Sequence, residues 1–261
     1  MTKGDMVWFE NWQVLDVMRS LKPATKLADL LLPADCICCG CSLTTRGLCP
    51  DCWSDLTLIT PPLCVACGRP LVYAGLDDMC GACLKDPFNL RHIRAFCAYD
   101  EASRQIILPF KHADRLDITP VMARLMRPAF DQLYTPDHLV IPIPLHWRRR
   151  WFRRYNQAAE LARHLTQKTA SHHQLKPDIL SRIKPTRQML KMTARMRRQN
   201  LKSAFQLHSD HAALIAGKPI LLIDDVMTSG ATLEAAAECL MAAGAQAVDG
   251  LVFARVLRGT R

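Results

Sequence analysis

The spacing of apolar residues changes twice along this chain, and the changes divide it into three stretches. In residues 1–32, Trp8, Trp12, Leu15 and Met18, then Leu27, Leu30 and Leu31, recur at helical spacing and predict a mainly helical segment. Residues 33–90 have no sustained period. They open at Pro33, close near Pro87 and are punctuated by cysteine. From residue 91 onward, short apolar runs alternate with amphipathic ones. Strands are predicted over 93–99, 139–143, 220–223 and 248–253, and helices over 116–133, 157–169 and 231–243, with a helix or turn over 102–111. The last strand–helix–strand group is a βαβ unit, so residues 91–261 read as an α/β domain built on a parallel sheet.

The end of the 220–223 strand carries the densest chemistry. Ile220, Leu221, Leu222 and Ile223 are followed by Asp224 and Asp225, then by Val226, Met227, Thr228, Ser229, Gly230, Ala231 and Thr232, where the predicted helix begins. A helix start offers free N–H groups and the positive end of its dipole to a phosphate. The hydroxyls add donors, and Gly230 lets the backbone approach closely. The two carboxylates can accept hydrogen bonds from ribose hydroxyls or help to hold hydrated Mg²⁺. An ordinary βα turn with capping acids is the plain alternative. A Walker-B strand would require a matching Gly-rich Gly-Lys-Ser/Thr loop; Gly217-Lys218 is followed by Pro219, and no other match exists. The segment resembles the 5-phosphoribosyl 1-pyrophosphate (PRPP) motif of type I phosphoribosyltransferases, with Ser229 in place of a second Thr. That resemblance makes Asp224 and Asp225 the candidate catalytic residues and 226–232 the substrate loop, with Mg²⁺ accompanying PRPP.

Ten of the twelve cysteines lie between Cys36 and Cys83. They form four Cys-x-x-Cys knuckles: Cys36/Cys39, Cys49/Cys52, Cys64/Cys67 and Cys80/Cys83. Two intervening residues let both thiolates reach one ion, and Gly40 and Gly68 suit the tight turn of a knuckle. Four knuckles predict two structural zinc ions in a double zinc ribbon. The simplest pairing is Cys36, Cys39, Cys49 and Cys52 for one ion, and Cys64, Cys67, Cys80 and Cys83 for the other; a crossed pairing remains open. Cys38 and Cys41 form a further Cys-x-x-Cys that blurs the first site. An iron–sulfur cluster is the rival to zinc. Disulfides do not suit a chain without an export signal. Full coordination by four thiolates leaves no open position for catalysis, so the ribbon's role is structural or for docking.

Charge adds one feature. The net charge is +10, and between His146 and Lys202 there are sixteen Lys or Arg against two acids, Glu160 and Asp178. A block this uneven favours polyanionic partners, with a solvated surface as the plain alternative. Arg148, Arg149 and Arg153 are candidates for holding pyrophosphate, together with backbone N–H groups near 142–146. Trp147, Trp151, Phe152 and Tyr155 interleave with them, which suits stacked bases above a phosphate-tracking groove as well as plain core packing. Lys191, Arg195, Arg198 and Lys202 share one helical face and are candidate contacts to single-stranded DNA. No apolar run reaches the length of a membrane span, and the N-terminus lacks a signal-peptide layout, so a cytoplasmic protein without membrane insertion is expected.

The order of motifs is specific: paired four-cysteine knuckles, Pro142-x-Pro144-Leu145-His146, Arg153-x-Tyr155-Asn156-Gln157, a stretch from Arg182 to Met189, Arg195-x-Arg197-x-x-Asn200-Leu201, and then the PRPP motif. From about Leu30 onward the chain resembles the ComF family, most of all its GntX branch. The resemblance implies a zinc ribbon followed by a type I phosphoribosyltransferase-like domain, and a role in natural competence or nutritional use of DNA. The expected partners are single-stranded DNA, from the basic block with its aromatics, and a DNA-uptake helicase or other competence proteins docked by the ribbon. Lys111 fits a lysine of the family pattern. Arg154 stands where the family usually has Gly, which puts the loop before Tyr155 in doubt. The alternative is a scaffold or DNA-binding protein in which the PRPP site is regulatory.

Overall fold

The computed structural model describes residues 34–73, 75, 78–112, 115–145, 155–167, 174–183 and 204–257. The helical expectation for 1–32 therefore lies outside the described residues. So do Trp147, Arg148, Arg149, Trp151, Phe152, Arg153 and Arg154, and the stripe Lys191, Arg195, Arg198 and Lys202.

Two short strands, β1 (Ala34–Asp35) and β2 (Ser42–Leu43), and helices α1 (Pro50–Ser54) and α2 (Gly81–Lys85) belong to the cysteine-rich segment. Then come β3 (Ile93–Ala98), α3 (Glu101–His112), α4 (Thr119–Leu133), β4 (Leu139–Pro142), α5 (Gln157–Thr166), β5 (Leu180–Arg182), β6 (Phe205–Leu207), α6 (Ala212–Ile215), β7 (Pro219–Met227), α7 (Ala231–Ala242) and β8 (Ala247–Arg255). The principal sheet has the order β3-β8-β7-β4 with every pair parallel. This is the parallel α/β sheet expected from the βαβ pattern.

Both faces of the sheet are covered, which is why its strands read as continuous apolar runs. Ile220 and Leu222 of β7 face one core with Leu233, Ala236, Ala237 and Leu240 of α7 and Phe205 of β6. Leu221 and Ile223 face the other core, formed by Ile106, Ile107 and Phe110 of α3, Met122, Met126 and Phe130 of α4, and Leu161 and Leu165 of α5. The alanines of α7 bring it close to the sheet. At Gly250 of β8 an added Cβ would lie 3.3 Å from Leu233 Cδ1 and 3.1 Å from Leu90 Cδ2.

The structure changes three details of the sequence expectation. β7 continues to Met227, so the acid pair lies within the strand: its ladder with β8 continues through Asp224↔Val252 and Val226↔Ala254 to Met227↔Arg255. The helix predicted over 116–133 begins as a 3-10 turn at Leu116–Ile118 before α4. The antiparallel pair β5/β6 has no counterpart in the periodicity analysis, because three-residue strands are too short to show a period.

The cysteine-rich segment is joined to the sheet through its backbone. Ile59 N donates to Phe96 O (3.1 Å) and Ala98 N to Thr57 O (2.8 Å), so residues 57–59 extend the sheet beyond β3. Ile93 N donates to Ala66 O (2.7 Å). Gly68, at φ +65°, presses against β3 so closely that a Cβ there would lie 2.3 Å from Ile93 O. Trp53 packs on Phe96 with ring centroids 6.2 Å apart.

At the opposite end of the strands from the acid pair, the fully buried Asp249 ties three segments together. It accepts from Arg91 Nε (3.2 Å) and Nη2 (2.6 Å) and from the His92 amide (3.1 Å), and pairs with His138 Nε2 (3.2 Å). Burial would raise its carboxyl, but the hydrogen bonds from His138 and Arg91, and the charges of Arg91 and His92, hold it down at about 2. A carboxyl lowered on folding contributes stability above its unfolded value near 4, and that contribution is lost as pH falls through the folded value. Asp249→Asn is expected to lower stability at pH 7 by about 3 kcal/mol in urea unfolding. The gap between wild type and variant should then close as pH falls from about 4 to about 2. A gap that is constant over this range would show that the ion pairs contribute nothing.

Candidate functional site

The C-terminal ends of β7 and β4 lie side by side, and the site is built on them. The ladder fixes Ile141↔Leu222 and Pro142↔Ile223, and Ile143 N donates to Ile223 O (2.9 Å). Asp224 and Asp225 stand at this rim, half-buried. Lys111 Nζ of α3 pairs with Asp225 Oδ1 at 2.9 Å, and the Asp225 amide donates to Asp224 Oδ1 at 2.9 Å. Loss of solvent and the neighbouring Asp225 carboxylate raise the Asp224 carboxyl to about 7, against the opposing pull of Lys111 and Arg182. Two carboxylates this close suit a divalent cation or the paired hydroxyls of a ribose, because either relieves their mutual repulsion.

Beyond the acids, Val226 is half-buried and Met227 buried, Thr228 is exposed and Ser229 half-buried. Gly230 takes the left-handed conformation at φ +80° as the residue before α7 and makes no side-chain cap. The N-terminal amides of this twelve-residue helix, from Ala231 and Thr232, are thus left without a side-chain cap, an arrangement that can receive an anion. A Cβ on Gly230 would lie 2.7 Å from Phe88 Cε1 and 2.8 Å from Met227 Cε, so only glycine fits both the conformation and the space. Glu234, in the first turn of α7, accepts from Asn89 N (3.1 Å) and Asn89 Nδ2 (2.6 Å). The helix start is therefore fastened to the segment leaving the second cysteine cluster.

Several supporting residues carry too weak a pattern for sequence alone to assign their roles. Lys111 is visible only as a family position, and its partner Asp225 is remote in the chain. Asn156 caps α5 by accepting from Ala158 N (3.0 Å), while its Nδ2 donates to Ile143 O (3.0 Å), so it also sets the turn after β4. Arg182 of β5 approaches Asp224 from the face opposite Lys111. Of the stretch expected to face pyrophosphate, residues 142–145 lie at the rim of β4, where Pro142 and Pro144 carry no N–H and the Ile143 amide donates to Ile223 O, which leaves the Leu145 amide; His146, Arg148, Arg149 and Arg153 lie outside the described residues.

Two groups of thiols converge in the cysteine-rich segment. The Sγ atoms of Cys64, Cys67, Cys80 and Cys83 lie within 4.8 Å of one another, and all four residues are buried. Cys67 and Cys80 Sγ are 3.7 Å apart. An ion with tetrahedral bonds of about 2.3 Å requires sulfur separations of about 3.8 Å, so the group fits a single zinc ion rather than the wider corners of an iron–sulfur cluster. The Cys80 amide donates to Cys64 Sγ (3.3 Å), a contact that steadies a thiolate ligand.

The other group also has the zinc spacing, with Cys39 and Cys49 Sγ 3.7 Å apart, but its membership differs from the expected pairing. Cys36, Cys39, Cys41 and Cys49 form the quartet within 4.8 Å. The Cys52 thiol stays beside Cys49, Cys38, Cys39 and Cys36 but outside that quartet. Its amide donates to Cys49 Sγ (3.4 Å), and Cys38 Sγ turns away to Gln105 Oε1 (3.2 Å).

A double zinc ribbon domain matches residues 27–84, and a phosphoribosyl transferase domain matches residues 157–261. The class of protein is therefore a phosphoribosyltransferase fold carrying two four-cysteine zinc sites. The chain is 30% identical over 230 residues to the DNA utilization protein YhgH of Escherichia coli strain K12, covering 85% of this chain and 91% of that protein. It is 31% identical over 228 residues to competence protein F of Haemophilus influenzae, covering 84% and 96%. To the competence protein ComFC of Bacillus subtilis it is 30% identical over 207 residues, covering 76% and 79%. The chain belongs to the ComF family, to which these competence and DNA utilization proteins belong. Among the described residues no helix is long and apolar enough to cross a membrane.

The second ribbon distinguishes the candidates for the fourth ligand of the first. Cys83 completes the second site from a short helix that starts at its partner knuckle, and Cys52 has the same position in α1. Purified protein is expected to hold two zinc ions per chain, Cys52→Ser one, and Cys41→Ser two, by elemental analysis. Loss of an ion in Cys41→Ser with retention in Cys52→Ser would make Cys41 the ligand.

Proposed function

We propose that this protein binds PRPP with Mg²⁺ at the ends of β7 and β4 and acts in the uptake or nutritional utilization of DNA. The observation that carries the reading is the placement of Asp224 and Asp225 in the last part of the central parallel strand β7, just beyond the end of β4 and a short turn before an uncapped helix start. In this reading the 5′-phosphate sits against the amides of 229–232, with hydroxyls from Thr228, Ser229 and Thr232. Val226, Met227 and Ala231 set the shape of the loop. Asp224 and Asp225 accept from the ribose hydroxyls, and Lys111 keeps Asp225 oriented. The acid pair also suits hydrated Mg²⁺, which when bound supplies positive charge to the pyrophosphate. The pyrophosphate lies toward 142–146, with Arg148, Arg149 and Arg153 as its cationic contacts.

The reaction this arrangement serves is pentosyl transfer. The bond from C1 of the ribose to pyrophosphate breaks with its electron pair leaving on pyrophosphate. Positive charge develops at C1, and a nitrogen of the acceptor forms the new bond. The protein's part is orientation and charge complementarity.

Replacing both Asp224 and Asp225 by Ala is expected to weaken PRPP binding by about 2–4 kcal/mol, read by calorimetric titration with PRPP and Mg²⁺. Unchanged zinc content serves as the check of folding. Wild-type affinity in the double variant would place PRPP elsewhere or nowhere.

A second reading, compatible with the first, rests on the basic block between His146 and Lys202. Lys191, Arg195, Arg198 and Lys202, with the Trp147–Arg154 cluster, contact single-stranded DNA through its backbone, and the zinc ribbon docks a DNA-uptake helicase or other competence protein. Affinity for single-stranded DNA should fall steeply with salt, with a slope of about −0.7 per phosphate contact. Arg195→Ala with Arg198→Ala should flatten that slope by about one unit or more for all sequences alike. Undetectable binding at low ionic strength would assign these charges to the sugar-phosphate site or to solvent.

A further inference from the structure

The two thiol groups of the ribbon are built differently. The first gathers six cysteines, Cys36, Cys38, Cys39, Cys41, Cys49 and Cys52, whereas the second has four. A tetrahedral zinc ion takes four thiolates. The first group therefore has a surplus: Cys38, and whichever of Cys41 and Cys52 is not the fourth ligand. Both of the latter lie against the other ligands. Cys41 Sγ is within 4.8 Å of the Sγ atoms of Cys36, Cys39 and Cys49. The Cys52 thiol is beside Cys49, Cys38, Cys39 and Cys36.

Access and charge separate the two groups further. Cys39 and Cys41 are exposed, and Cys38 and Cys52 half-buried, while Cys64, Cys67, Cys80 and Cys83 are all buried. Arg94 Nη1 donates to Val65 O (3.0 Å) and Arg255 to Cys67 O, so two guanidinium groups stand against the second site. Cations beside thiolates lower the nucleophilicity of the sulfur. The first group instead meets the neutral amide of Gln105 through Cys38 Sγ (3.2 Å). Zinc binding does not account for the surplus, since the second site is complete with four cysteines. Packing does not account for an exposed thiol such as Cys41.

We propose that the first ribbon is a site of oxidation by hydroperoxides, at which the one of Cys41 and Cys52 that is not a ligand forms a disulfide with a neighbouring ligand and releases the zinc ion. A ligand thiolate attacks the O–O bond. One oxygen passes to sulfur, giving a sulfenic acid, and the other leaves with a proton from solvent, as water when the oxidant is hydrogen peroxide. The surplus thiol then attacks the sulfenic sulfur; the S–S bond forms and a water leaves. The two sulfurs lose one electron each and the peroxide takes both. Zinc is not oxidised. Cys38 is turned to Gln105, so three thiolates remain on the ion, and it departs as Zn²⁺ to a competing ligand in solvent. The second site has no spare thiol and no exposed sulfur, so its ion stays. None of this requires PRPP binding.

The test exposes the zinc-loaded full chain to hydrogen peroxide, following zinc with a chromogenic chelator and disulfides by peptide mass spectrometry. One of the two ions is expected to leave at least about tenfold faster than the other, with two thiols consumed per ion. The disulfide should join the surplus thiol to Cys36, Cys39 or Cys49, and a thiol reductant with added zinc should restore the ion. Cys38→Ser with Cys41→Ser leaves the first site four thiols; this variant should hold two ions and lose the first about tenfold more slowly than wild type. If it holds only one, Cys38→Ser with Cys52→Ser is the four-thiol form and takes its place in the comparison. Equal release of both ions, no release, or zinc loss without a disulfide would overturn the proposal. So would release from the four-thiol form at the wild-type rate, or failure of both four-thiol forms to hold two ions.

Discussion

The parallel pairing of β7 with β8 is the constraint on which the rest of the structure depends. It runs from Pro219↔Ala247 to Met227↔Arg255, and each end carries a different task. At one end Asp249 gathers Arg91, His92 and His138, anchoring the start of β3 and the turn before β4. At the other end the strand holds the acid pair at the rim and releases the chain into the Thr228–Gly230 turn. Because side chains alternate along a strand, a slip of one residue would exchange Asp224 and Asp225 between the Arg182 and Lys111 faces. The apolar alternation of Ile220, Leu221, Leu222 and Ile223 between two dry cores prevents such a slip.

The cysteine-rich segment is integrated into this sheet rather than appended to it. Residues 57–59 add to β3, Ala66 accepts from Ile93, and Arg94 and Arg255 reach the carbonyls of the Cys64/Cys67 knuckle. Phe88 packs against both the four-cysteine cluster and the main core, and Asn89 holds the start of α7 through Glu234. The buried residues of this second cluster are its four cysteines, so its order comes from the metal it would bind and from the sheet beneath it. The order of the ribbon and the position of the Thr228–Gly230 turn are thereby linked through a few backbone contacts and one aromatic ring.

Much of this was legible in the amino-acid sequence. The strands 139–143, 220–223 and 248–253 and the helix 231–243 are local patterns of apolar spacing, and the sheet and α7 follow them closely. The acid pair, the hydroxyls and Gly230 are contiguous, so their order alone marked the rim of a strand. The four knuckles are contiguous pairs for the same reason. These features depend on neighbours in the chain, and neighbours are what a sequence displays.

Tertiary structure alone decided what brings distant residues together. Lys111 meets Asp225 across 114 positions because α3 and β7 share one core, and no spacing rule connects them. Asp249 gave no signal as a lone acid in an apolar strand; its role appears only when Arg91, His92 and His138 converge on it. The quartet of Cys36, Cys39, Cys41 and Cys49 depends on how the first ribbon folds back on itself, which spacing left open. A cleft between the ribbon and the Thr228–Gly230 turn exists because Gly68 lets the Cys64/Cys67 knuckle lie directly on β3, bringing Arg69 to the end of β8. Period and motif determined the elements and their chemistry, whereas packing of remote side chains into a shared interior determined which of them meet.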